Sequence, residues 1–77
     1  MEIVIGADYR LTEDFGVGPG SLPAGAIVKA TGIYPPGTPG IGWAEEDTVL
    51  ANYFNSGGAV QTIALVVSAF EQLFVEA

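Results

Sequence analysis

The sequence has no cysteine, no histidine and only two basic residues, Arg10 and Lys29. Each scarcity removes a class of chemistry. Without thiols there is neither a disulfide nor a thiolate metal site, and the redox compartment is left open. Without imidazole, acid–base catalysis near neutrality falls to a carboxylate or lysine with a shifted pKa. Ser21, Ser56 and Ser68 have no basic neighbour in sequence to activate them as nucleophiles. The stretch "GVGPGS", residues 16–21, carries the glycines of a phosphate-binding loop but not its lysine. A non-catalytic chain is expected, with no catalytic residue and no cofactor.

The shortage of positive charge also narrows the partners. Nine carboxylates against two bases give a net charge of −7. Phosphate backbones are bound by clustered Lys and Arg, and anionic membranes attract basic segments, so neither nucleic acid nor membrane is expected. A basic protein surface is compatible. The N-terminus "MEIVIGADYR" lacks a basic region followed by an apolar segment of signal-peptide length. The longest unbroken apolar run, Ile63 to Val67, is far short of a membrane span. A soluble, cytoplasmic chain is expected.

What is present is apolar: 49% of the 77 residues are hydrophobic and 14% charged. The length implies a single domain, residues 1–77. A chain this short buries roughly 60–65% of its unfolded surface, and ordering it costs on the order of 1.5 kcal/mol per residue. Apolar burial must offset nearly all of that. The apolar share is high for a small monomer, and burial between chains would account for a surplus.

Glycine and proline cut the chain into short pieces, which predicts short strands. In "DYRL", residues 8–11, Tyr9 and Leu11 fall on one face of an extended stretch and Asp8 and Arg10 on the other. "AIVKATGIY", residues 26–34, places Ile27, Lys29, Thr31 and Ile33 on one side and Val28, Ala30 and Gly32 on the other. "TVLANYF", residues 48–54, and "AVQTIALVV", residues 59–67, read as two more strands around "NSGG", a tight hairpin turn. "SAFEQLF" then changes period. Ser68 and Glu71 have capping-box spacing, and Phe70, Leu73 and Phe74 recur at one helical turn. "FVEA" finishes as a short strand.

Two acidic clusters stand out, Glu13-Asp14 and Glu45-Glu46-Asp47. Oxygen-ligand metal sites combine alternating side chains with a glycine turn, whereas adjacent acids in an extended chain point to opposite faces. No metal site is expected. The clusters are either solvated loops that oppose aggregation or a docking surface for a basic partner.

The stretch "IYPPGTPGIGW", residues 33–43, predicts a stiff loop. Pro35 and Pro36 fix their own φ and restrict the residues before them, so little freedom is lost on binding. Tyr34 and Trp43 at its ends are residue types enriched at interface hot spots. The alternative is that both fold back over the end of the core. Pro36 and Pro39 have PxxP spacing but no flanking basic residue to orient such a ligand.

The order of these pieces resembles that of an SH3-like barrel. "DYRL", a long acidic loop "TEDFGVGPGSLPAG", "AIVKATGI", a variable loop "YPPGTPGIGWAEED", "TVLANYF", "NSGG", "AVQTIALVV", "SAFEQL" and "FVEA" follow its sequence of elements. The resemblance implies an all-β fold: a small five-stranded barrel with one short helical or 3₁₀ turn before the last strand. It also implies that both acidic clusters and the proline loop lie on neighbouring loops at one end. Signalling members of that fold carry an "ALYDY"-like start, a Trp-Trp pair and a Ser-Pro-x-Asn-Tyr turn. Here "GADYRL", the lone Trp43 and "SAFEQLF" stand in their places, so peptide binding of the signalling type is not implied. Small acidic β domains of this style are also similar to bacteriophage accessory proteins, for which host cytoplasm or virion is the expected location.

The expected function is therefore a protein–protein interaction module. Its surface would comprise Tyr34, Trp43, Glu45, Glu46 and Asp47, with Asp14 and Phe15, facing a protein partner with a basic surface. The alternative is a small structural subunit that assembles with copies of itself through the apolar strand, using Ile63, Leu65 and Val67 on one face or Ala64 and Val66 on the other.

Overall fold

A computed structural model describes residues 2–18, 20–42, 44–55 and 57–77. The elements run β1 (Asp8–Leu11), β2 (Ile27–Tyr34), β3 (Thr48–Phe54), β4 (Val60–Val66), α1 (Val67–Leu73) and β5 (Phe74–Glu76). All five strands join one antiparallel sheet in the order β4-β3-β2-β1-β5. No helix among the described residues is long and apolar enough to cross a membrane.

The mostly-β architecture with one short helix is as the sequence pattern predicts. The closed barrel is not. β4 and β5 are the two edges of an open sheet, and no ladder joins them among the described residues. The chain crosses from the β4 edge to the β5 edge through α1. Side-chain packing holds that helix against β1 and β5. Phe70 of α1 meets Tyr9 of β1 edge-on, with centroids 5.3 Å apart and planes at 80°. It stacks on Phe74 of β5 at 4.5 Å and 13°. All three rings are buried.

β1 follows its alternation: Tyr9 and Leu11 are buried, and Asp8 and Arg10 are exposed. The Tyr9 hydroxyl, at the rim of the core, accepts a hydrogen bond from the Val4 N–H at 2.7 Å. Asp8 pairs with Lys29 at 3.3 Å, both about half exposed, a geometry that contributes little to stability. β3 turns Val49 and Ala51 inward, with Tyr53 packed against the same core.

β2 departs from simple alternation. Its ladder with β3 pairs Ala30 with Ala51 and Gly32 with Leu50, so Thr31 is the extra residue of a β-bulge. Beyond it the faces exchange. Ile33, grouped by period with Ile27 and Lys29, turns inward and packs against the core. Gly32 and Tyr34 pass to the outer face beside Leu50 and Thr48.

The β3–β4 hairpin closes through Asn55. Its N–H donates to the Ala59 carbonyl, and its side-chain Oδ1 accepts from the N–H groups of Gly57 and Ala59 at 2.9 and 3.0 Å. Gly58 holds φ at 82°, the left-handed region such turns use. The predicted capping box is replaced. α1 starts at Val67, and its N-cap Val66 makes no side-chain cap bond. Ser68 is therefore the second residue of the helix, and its hydroxyl donates to Glu46.

Candidate functional site

In the β2–β3 connection, residues 35–42 fold into a loop closed on itself. The Thr38 hydroxyl donates to the Pro35 carbonyl at 2.7 Å, and the N–H of Gly37 donates to the Gly42 carbonyl at 2.8 Å. The Ile41 and Gly42 N–H groups both donate to the Thr38 carbonyl, at 3.2 and 2.7 Å. Gly42 sits so close to this backbone that a Cβ there would stand 2.7 Å from both the Gly37 nitrogen and the Pro35 oxygen. The prolines, together with this network, brace residues 35–42.

The acidic run that follows divides its labour. The Glu46 carboxylate accepts from the Ser68 N–H at 2.8 Å and from the Ser68 hydroxyl at 3.0 Å. The Asp47 carbonyl accepts from the Val67 N–H at 2.9 Å. Two of the unpaired N–H groups at the start of α1 are thus capped from across the fold. This ties the end of the loop to the helix. Glu46→Ala should cost about 1–2 kcal/mol, read as a thermal midpoint lowered by roughly 5–10 °C; an unchanged midpoint would show that the carboxylate is only a solvated charge. Glu45 and Asp47 remain exposed, and their carboxylates engage no partner among the described residues.

Tyr34 is half-buried on the outer face, where its ring lies over Gly32. A Cβ at position 32 would meet the ring at 2.7 to 2.9 Å, so the absence of a side chain there is what lets the ring come this close. Trp43 lies outside the described residues.

Asp14 and Phe15 are not brought to this group. They leave the sheet at the Leu11 end of β1, where Arg10 faces Ile27 at the start of β2, whereas Tyr34 ends β2 opposite Thr48. The length of β2 separates them. Phe15 bridges Leu22 and packs against the core. Asp14 accepts from the Ala24 N–H at 2.9 Å, a local tie within its own loop. The Gln61 side-chain amide donates to the Gly20 carbonyl, which holds that loop beside the hairpin end of β4. The two acidic clusters thus occupy opposite ends of the sheet.

The strand expected to assemble also divides by face. Ile63 is buried, with Leu65 and Val67 packed against the core, while Ala64 is exposed and Val66 half-buried on the outer side. Sequence reasoning overlooked an outer apolar row beside it. Phe54 faces Val60 across the hairpin and is 58% exposed, and Val60 is 53% exposed. Ile27, at the same level on β2, is also exposed. A second feature was legible and missed: residues 48–70 contain no charged side chain at all. The hairpin and the first half of α1 are neutral in a chain of net charge −7.

No described cluster of three or more His, Cys, Asp or Glu side chains converges as metal ligands would. No family model, curated protein or solved structure matches this chain.

Proposed function

We propose that the chain is a non-catalytic protein-interaction module, a variant of the SH3-like small barrel left open on one side. In this reading the β2–β3 loop docks a protein with a basic surface. The order of elements, the helical segment before the last strand and the return of β5 to β1 support the SH3-like assignment. The observation that carries the function is the loop itself. It is held by its own backbone hydrogen bonds and fastened to α1 through Glu46, and it presents the exposed carboxylates of Glu45 and Asp47. A loop already in shape gives up little entropy on binding, and exposed like charges on it raise the rate of encounter with a basic partner.

Capture from host lysate, quantified by mass spectrometry, tests this. Glu45→Lys/Asp47→Lys should reduce capture of the main partner by about ten-fold or more at low salt, and Glu13→Lys/Asp14→Lys, at the other end of the sheet, should leave it unchanged. Trp43→Ala examines the aromatic at the end of the loop. Equal capture by all the folded variants would remove the loop as the binding surface.

A second reading, a small structural subunit of bacteriophage type that assembles through its apolar strand, is favoured by one observation: β4 lies at an edge of the sheet.

A further inference from the structure

We propose that two copies of the chain join by antiparallel pairing of their β4 edges, which extends each five-stranded sheet into one continuous sheet across a two-fold axis. The pairing rests on the second reading above and specifies how such a subunit would assemble.

The edge strands of stable monomers are blunted by charge, proline, a bulge or brevity. β5 is blunted twice over, being three residues long and carrying Glu76. β4 has none of these devices. It runs seven residues, "VQTIALV", without a charge or proline, and its ladder with β3 is continuous from Phe54–Val60 to Thr48–Val66. The register also says which groups are free. Ala59 and Val67 bond to the β3 side, through Asn55 and Asp47. In an antiparallel ladder each residue's N–H and C=O point the same way and alternate along the strand. Gln61, Ile63 and Leu65 therefore bond to β3, and Thr62 and Ala64 turn both of their backbone groups to the open side. No backbone hydrogen bond among the described residues reaches them there.

Charge selects the occupant. A basic partner is drawn to the carboxylate-bearing loops. A second chain of net charge −7 is repelled by those loops and can approach closely only where charge is missing: β3 and β4 carry no charged side chain, and the Glu46 carboxylate lies beyond the Val66 end of β4, on Ser68. An axis through Ile63 overlaps the strands fully. It sets Thr62 opposite Ala64 of the second copy and Val60 opposite Val66 of the second copy. These outer-face neighbours are small or β-branched and uncharged, as cross-strand pairs favour. Val60, exposed in one copy, gains an apolar neighbour, and the Phe54–Val60 row continues across the seam.

Analytical ultracentrifugation of the whole chain should show a species of twice 7.9 kDa. Thr62→Pro removes an N–H that the chain's own ladder does not use, a position where an edge strand accepts proline. It should weaken the dimer by about a hundred-fold while the far-ultraviolet circular dichroism stays β. Because the chain has no native cysteine, Thr62→Cys/Ala64→Cys should give a covalent dimer on mild oxidation. Facing residues in such a pair stand about 5.5 Å apart at Cα, within disulfide reach. A Thr62→Pro variant that folds and still dimerises, an assembly larger than two, or failure of the double cysteine variant to cross-link would overturn edge pairing and leave assembly by another surface standing. A wild-type chain that stays monomeric at millimolar concentration would overturn both.

Discussion

Phe70→Ala should leave the chain largely unfolded. Phe70 is fully buried, and it is the contact through which α1 packs on the sheet, edge-on to Tyr9 and stacked on Phe74. Truncating a buried phenylalanine costs about 3–5 kcal/mol, and each aromatic pair adds roughly 0.5–1.5 kcal/mol beyond its buried area. A single core of this size rarely supplies more than about 3–5 kcal/mol in total. The loss is therefore comparable to the whole stability. Urea titration followed by circular dichroism should show no folded baseline for Phe70→Ala, and Phe70→Leu should retain one at a reduced midpoint. A wild-type midpoint in the alanine variant would mean that the helix is not what seals the core.

Gly42→Ala should be the second most damaging change, at about 2–3 kcal/mol, or a thermal midpoint lowered by roughly 10 °C or more. The added carbon meets backbone atoms of Gly37, Thr38 and Pro35, and backbone cannot swing aside as a long side chain can. The loop has to open, with loss of the bonds from Gly42 to Thr38 and from Gly37 to Gly42. Gly40→Ala is the informative control. Gly40 has φ of 79° but nothing within 4 Å of its absent Cβ, so only conformational strain of about 1 kcal/mol is expected. If the two substitutions cost the same, the loop is not closed as described. Partner capture should fall with Gly42→Ala even under conditions where the rest of the chain is folded.

The pattern of strands was legible because it depends on neighbours in sequence. Tyr9 and Leu11 against Asp8 and Arg10, and Val49 and Ala51 against Leu50 and Asn52, are period-two statements that burial matches. The bulge at Thr31 was written less clearly. Gly32 inside a strand pattern is the local sign of one, but which face Ile33 takes depends on the register with β3. The capping of α1 could not be read locally, because Glu46 reaches Ser68 across 22 residues, whereas Glu71 stands at the nearer spacing. Nor could sequence distinguish a closed barrel from an open sheet, since that turns on whether two strands brought together by α1 share a ladder. The acidic residues were legible as a class but not in their separate duties. Asp14 ties its own loop and Glu46 caps a helix, while Glu45 and Asp47 stay exposed.

The β1–β5 pair has a kinetic consequence. Thr12 donates to the Leu73 carbonyl through both its N–H and its hydroxyl, across 61 positions of chain, whereas Thr62 finds Asn52 only 10 positions away. Contacts that close long loops form late, because the entropy of closure precedes any reward. The hairpin of β3 and β4 should zip first and the clasp between β1 and β5 last. On the return journey that clasp is the first to let go, and amide protons there should exchange with solvent sooner than those of the hairpin.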